Sequence, residues 1–433
     1  MRNFECDILV VGAGPAGSTA AALLAERGHD VLLVEKERHP RFHIGESLLP
    51  LNTAMLDRLG LRERVAAIGV HKPGAEFVAD DTGKEVQFSF ANGLDKRFTS
   101  SWQVRRSEFD ALLFEAAEAR GARTMQETRV TGVELGVDGG RAGVTAVDAE
   151  GEMRIAPRYV LDASGRDTVM AGKLGTKEAN RRNNTAAVYA HFTGAEFRTG
   201  EREGYISVHL AEDGWFWMIP LLEGVMSVGF VGNASVFVPE DGRRGTPAEL
   251  LERRIAASPT VSARMRSAVR VSEVTGTGNY SYRGTTNGGD GYLMIGDAYA
   301  FLDPVFSSGV LLAMTSAEKG VGVAEAWLAD PANGRAAARR MEKEMRHAMG
   351  RIAWLIYRIN TPALRLLFMA PRNTFRMRDG LVSLLAGNLK GTWRSVMPVL
   401  AFKAIYYVTT ALLWTGWQAP VVPVHRAEMV AAE

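Results

Sequence analysis

An apolar, β-rich run from Cys6 to Val11 stops at Gly12, and helix-forming residues begin at Pro15 and continue S-T-A-A-A-L-L-A. Gly12, Gly14 and Gly17 stand at the spacing G-x-G-x-x-G. In such a strand–turn–helix the first glycine allows the tight turn, the second lets a pyrophosphate approach the backbone, and the third lets helix pack on strand. The free amides of the helix's first turn, at its positive end, then face phosphate. A second apolar run, V-L-L-V, ends at Glu35, 23 residues after Gly12, where a dinucleotide fold places the acid that holds a ribose hydroxyl. Strand, glycines, helix, strand and acid in this order predict an α/β fold with a bound dinucleotide.

Length then sets the scale. A chain of 433 residues, 46% hydrophobic and 23% charged, has room for two or three globular domains. Its one cysteine, Cys6, lies inside the first strand, so no disulfide framework forms and a cytoplasmic location is expected. No N-terminal targeting segment is expected, because the apolar run is short and leads straight into the glycine turn. His39 and His43 are four apart, but Pro40 between them breaks the helix a metal pair would need, so no metal is expected.

Organisation follows from periodicity. Residues 1–70, 100–175 and 281–330 carry the dinucleotide-binding pattern. It includes a helix from about Ser107, a strand ending at Asp162, and a second strand–acid–turn–helix series, Y-L-M-I-G-D-A-Y-A-F-L-D-P-V-F-S-S-G-V-L-L. Residues 71–99 and 176–280 alternate as short strands and predict an antiparallel β-sheet substrate domain. Residues 331–433 form a basic helical module, with 14 Lys/Arg against 3 Asp/Glu between Arg335 and Lys403, a local +11 in a chain of net +2. Such a module suits an acidic protein, an acidic substrate or an anionic membrane surface.

G-A-G-P-A-G with Glu35, D-A-S-G-R at Asp162–Arg166, and G-D-A at Gly296–Ala298 resemble the three FAD motifs of glutathione-reductase-type flavoproteins, in the p-hydroxybenzoate-hydroxylase-like branch. G-W-F-W-M-I-P at 214–220 resembles the W-x-W-x-I-P string of flavin-dependent halogenases, through Trp215, Trp217, Ile219 and Pro220. Lys72, after G-E-S-L-L-P and within K-x-G-x-x-F, stands where those halogenases carry their catalytic lysine. Around D-P-V-F-S-S-G the chain is most similar to the branch acting on pyrroles and phenols, often tethered to a carrier protein.

The resemblance implies a glutathione-reductase-type (Rossmann-like) FAD domain. It implies FAD contacts from Gly12, Gly14, Pro15, Ala16, Gly17, Glu35, Lys36, Glu46, Ser47, Arg106, Asp162, Gly296, Asp297, Gly309 and Val310. It implies FAD reduced by a separate flavin reductase, and a halide ion at the backbone amides of Ser307, Ser308 and Gly309. Hypohalous acid would pass to Lys72, which polarises it or forms a haloamine, and an electron-rich aromatic would be substituted. Chemically, a neutral lysine is a nitrogen nucleophile and a protonated one donates three hydrogen bonds. Trp215 and Trp217 would keep the substrate from the flavin. No nucleic-acid partner is expected.

V-M-P-V-L-A-F-K-A-I-Y-Y-V-T-T-A-L-L-W-T-G-W, from 396, is apolar except for Lys403 and long enough to cross a membrane. Pro398 and the Thr409–Thr410 pair favour instead a helix packed on the body or a partner, with a peripheral membrane contact as the next expectation. Arg339, Arg340, Arg346 and Arg351 are the expected basic docking face. A hydroxylase or reductase taking electrons from a nicotinamide, and a non-catalytic flavin-binding membrane partner, are the competing functions.

Overall fold

A computed structural model describes residues 1–136, 140–180, 185–237, 245–278 and 281–417; the last residues of the C-terminal module, 418–433, lie outside it. Its centre is a mostly parallel sheet. Strand Arg2–Val11 lies between Gly151–Asp162 and Val31–Val34, and the order continues to Tyr292–Met294 on one side and Arg123–Met125 on the other. Toward the carboxyl edge these strands become continuous buried apolar runs, Ile8–Val11, Val31–Val34 and Tyr159–Leu161, because helices cover them there. Helix Pro15–Ala25 packs on Gly309–Ala329 and Arg106–Ala119.

Register decides where the motifs meet. Val11 pairs with Asp162 and with Val34, and Asp162 pairs with Met294. Gly12, Ala163, Glu35 and Gly296 therefore follow within two residues of one carboxyl edge, the edge at which open α/β sheets hold ligands. Three sequence-distant motifs share a rim because the strands are parallel.

The second large sheet runs in the order Val269–Arg270, Thr185–Thr193, Val225–Asn233, Gly214–Pro220, Ile206–Ala211, Gly74–Ala79, Glu85–Ser89. It is antiparallel except where Ile206–Ala211 meets Gly74–Ala79. Strand 214–220 is fully buried and alternates. Trp215, Trp217 and Ile219 face the cavity beside the FAD-type domain, while Phe216 and Met218 pack into a separate core with Leu251 and Val261.

Two expectations change. Lys72, expected in the substrate sheet with residues 71–99, ends instead the strand Gly69–Lys72, which pairs with Ser101–Val104 in a sheet of its own. The basic face also shrinks. Arg351 is buried and donates to the Leu389 carbonyl at 3.1 Å, and Arg346 is held by Glu342, the Tyr299 hydroxyl and the Thr285 carbonyl. Both side chains bind the C-terminal helices (Pro331–Ile356, Pro362–Met369, Met377–Leu385, Trp393–Trp414) to each other or to the body.

Candidate active site

A cavity of about 540 Å³ runs along the carboxyl edge of the parallel sheet, from Glu35 and Lys36 past Gly12–Ala16 to Trp215, Trp217 and Gly309. Gly12 has φ +96°, and a Cβ there would lie 2.5 Å from the Ala163 carbonyl oxygen. A Cβ on Gly17 would lie 1.8 Å from the Gly12 carbonyl oxygen, so the third glycine sets the helix–strand approach. Gly14 differs: its Cβ would point into open space toward Arg41, 3.8 Å away. It caps a helix that has no side-chain cap, and Pro15 follows at its first position. The Ala16 and Gly17 amides therefore lack an intrahelical acceptor and are available to an anion.

Glu35 is buried. One carboxylate oxygen accepts from the Ala13 amide at 2.7 Å and the other from the Glu37 amide at 3.1 Å. Those bonds fix the carboxylate at the cavity wall. Lys36 lines the same end and pairs with Asp167 at 2.6 Å. Arg106 forms a two-pronged pair with Asp110 at 2.8 and 3.0 Å and donates to the Ile44 carbonyl, a geometry that locks its guanidinium plane against the cavity. Asp162 has a different part from the one expected. Its oxygens accept from the Ser164 and Met170 amides at 2.9 and 2.7 Å, so it shapes the A-S-G-R turn and does not line the cavity.

Asp297 does line it. Burial pushes its carboxyl up to about 6, with Arg106 and Arg166 pulling the other way. Gly296, at φ +58°, donates its amide to Ser316 Oγ at 2.8 Å, which ties the G-D-A turn to the helix Gly309–Ala329. At that helix start the donors are displaced from expectation. Ser307 is left-handed (φ +54°) and its amide is spent on the Pro304 carbonyl, while Ser308 is buried away from the cavity. The amides of Ser308 to Leu311 lack intrahelical acceptors, and of these residues Gly309 and Val310 stand on the cavity wall.

Lys72 is 1% exposed and does not itself reach the cavity. Its Nζ donates to Ser47 Oγ at 2.8 Å and to the Leu48 carbonyl at 2.9 Å, and lies 5.3 Å from the Phe90 ring centre. Burial lowers the amine to about 7. Ser47 is on the cavity wall, so it joins Lys72 to the space where a cofactor would lie. Its neighbour Glu46 meets His191 Nε2 through one oxygen at 2.7 Å, and its other oxygen is buried without a partner among the described residues. An orphaned carboxylate oxygen and free helix-start amides in one cavity are what a polar ligand would satisfy. The residues fit FAD.

Three residues here escaped the sequence reading. Arg41 lines the cavity beside Gly14 and bridges Glu35 and Asp110 at 3.5 and 3.3 Å, placing a cation where pyrophosphate would approach. Tyr189 packs on Trp217 at 5.7 Å between ring centres, and His191 meets Glu46. Alternation in T-A-A-V-Y-A-H-F would have put Tyr189 and His191 on one face. Nothing local marks Arg41, which sits in a polar turn. His39 stacks on Phe114 at 5.0 Å, and His43 bonds the Ile44 carbonyl through Nδ1 at 2.7 Å.

The chain matches the FAD binding domain family over residues 5–350. It is 35% identical over 313 residues to a tryptophan 2-halogenase of Chondromyces crocatus, covering 72% of this chain and 59% of that protein. It is 30% identical over 341 residues to the 1H-pyrrole-2-carbonyl-[peptidyl-carrier protein] chlorinase of Pseudomonas fluorescens, covering 73% and 75%. The solved flavin-dependent brominase Bmp2 superposes with a TM-score of 0.80 at 27% identity, over 94% of this chain and all of that one. Against the tryptophan 2-halogenase the chain thus spans less than two thirds of its relative's length. With the cavity, the glycine turn and the W-x-W-x-I-P strand in place, these matches show that the chain belongs to the flavin-dependent halogenase family of FAD-binding proteins.

Proposed function

We propose that this protein halogenates an electron-rich aromatic ring, a phenol or a pyrrole, free or held on a carrier protein. The observation that carries the reading is the Lys72 amine. It is buried with no carboxylate partner among the described residues, is lowered to about 7, and is hydrogen-bonded to a serine on the cofactor wall. A structural lysine would be expected to pair with an acid. Reduced FAD, when bound, supplies the electrons with which dioxygen turns a halide into an electrophilic hypohalous species. The chain's own groups divide the remaining work by position.

Arg41 and the Ala16 and Gly17 amides would hold pyrophosphate, and Glu35 would bond a ribose hydroxyl. Asp297 would accept from ribityl hydroxyls, and the Gly309 and Val310 amides would hold the halide. Trp215, Trp217 and Ile219 wall off the ring-binding side. Lys72 takes the halogen from hypohalous acid, with loss of water, or holds that acid by hydrogen bonds. The ring then gains the halogen and loses a proton. A self-activating ring needs no further acid. A separate flavin reductase is the electron donor, and the cytoplasm is the setting that a lone, buried Cys6 suits.

The test needs no substrate at first. Anaerobic protein loaded with reduced FAD is mixed with oxygenated buffer, with and without bromide or chloride, and the return of oxidised-flavin absorbance is timed. Acceleration by halide supports the reading. Indifference to halide, with direct reduction of the flavin by NADPH, would make the chain a hydroxylase or reductase on this scaffold.

A further inference from the structure

Helix Trp393–Trp414 carries no charge but Arg394 and Lys403 and is otherwise mostly apolar, yet only one stripe of it is covered. Ser395, Pro398, Val399, Phe402, Tyr406 and Thr409 are buried against Pro362–Met369 and Met377–Leu385. On the opposite stripe Trp393 is 75% and Trp414 87% exposed, with Met397, Leu400, Tyr407, Val408 and Leu412 exposed between them. Only 28% of its most apolar window is buried. A soluble surface helix would carry polar residues there. Phe375, also 75% exposed, lies in the turn packed beside this helix.

The charge of the surrounding segment is mostly of one sign. Residues 357–417 hold eight Lys/Arg and a single acid, Asp379, which is already paired with Arg376. Lys390 and Arg394 stand exposed at the start of the helix. Lys403 lies over the Trp354 ring at 4.9 Å. A second copy of this chain would bring like charge against like charge, which opposes pairing. An anionic lipid surface complements the charge and takes up the apolar stripe and the tryptophans at its ends. Spanning is disfavoured, because the buried stripe ties the helix lengthwise to the body.

We infer that the exposed stripe of Trp393–Trp414 seats this protein on an anionic phospholipid membrane, the helix lying in the plane of the headgroups. The experiment is flotation of the full chain with vesicles of phosphatidylcholine alone and of equal parts phosphatidylcholine and phosphatidylglycerol, plus light scattering without lipid. Binding to the mixed vesicles only is expected. It should weaken about 10-fold or more in K390E/R394E, and as much in W393S/V408S/W414S. The flavin spectrum and Tm of both variants should stay unchanged, which separates lost docking from lost folding. No binding to mixed vesicles overturns the inference. So does equal binding to neutral vesicles, or a lipid-free dimer that W393S/V408S/W414S splits. Because no turnover is read, failure here leaves the halogenation reading untouched.

Discussion

The Lys72 amine lies 2.8 Å from Ser47 Oγ, and only the serine of the two stands on the cavity wall. A neutral amine has two N–H groups, and it finds two acceptors here, Ser47 Oγ and the Leu48 carbonyl. Its lone pair is then left for an electrophile. The arrangement favours the uncharged form through burial, with no cation among the described residues contributing.

Lys72→Met should separate catalysis from structure. Halide acceleration of flavin reoxidation is expected to persist while aromatic product falls below detection. Stability should not fall. The unfolded chain keeps this proton up to about 10.5 whereas the folded chain releases it near 7, so the burial penalty is full below pH 7 and shrinks as pH rises. The variant's Tm advantage should therefore be largest at acidic pH. A Tm well below that of the parent at every pH would mark Lys72 as structural.

The same amine sets a pH profile. If the lone pair takes the halogen, the product-forming step in single-turnover mixing rises through about pH 7 and then levels, following Lys72 deprotonation. A rate that falls over that interval would assign the work to the protonated amine as hydrogen-bond donor.

Ser47→Ala removes one of the two acceptors. Product yield should drop about 10-fold, the size of one lost hydrogen bond, while the halide-dependent step keeps its rate. More hypohalous acid should then be caught by a thioether added to the solution. Ser47→Thr, which keeps the hydroxyl, should recover most of the yield; equal yields from all three proteins would remove Ser47 from the route.

The glycines of the first turn should fail in different ways. Gly17→Ala forces a Cβ to within 1.8 Å of the Gly12 carbonyl oxygen, a backbone clash expected to leave the chain insoluble or several degrees less stable. Gly14→Ala meets nothing closer than an arginine tip at 3.8 Å. It should preserve the apoprotein's Tm and weaken FAD binding, read by fluorescence titration.

How much of this could be read from the chain depends on how local the cause is. The glycine turn and the continuous apolar strands are set by residues within a few positions, so the parallel sheet and its cofactor edge were legible. So was the one-faced display of Trp215 and Trp217, which needs only the period of a strand. The burial of Lys72 was not, because it comes from pairing with Ser101, 29 residues later. Arg351 failed for the same reason: the Leu389 carbonyl that claims it comes from a later segment of the module. Asp162 sat where a cofactor ligand was expected, and only the positions of the Ser164 and Met170 amides reveal that its oxygens are already occupied.

The middle of the parallel sheet is stitched from three distant pieces: Arg2–Val11, Gly151–Asp162 and Tyr292–Met294. On a ribosome these emerge far apart in time. The glycine turn is made first, yet the G-D-A segment and the helix start at Gly309 that complete its far wall follow only after some 300 residues. Until then the nascent chain holds only the glycine-turn half of the cavity. Long-range closure of this kind is slow relative to local helix formation. Cofactor capture should therefore come late in the birth of this protein, and free FAD should speed the final step of refolding without altering the early ones.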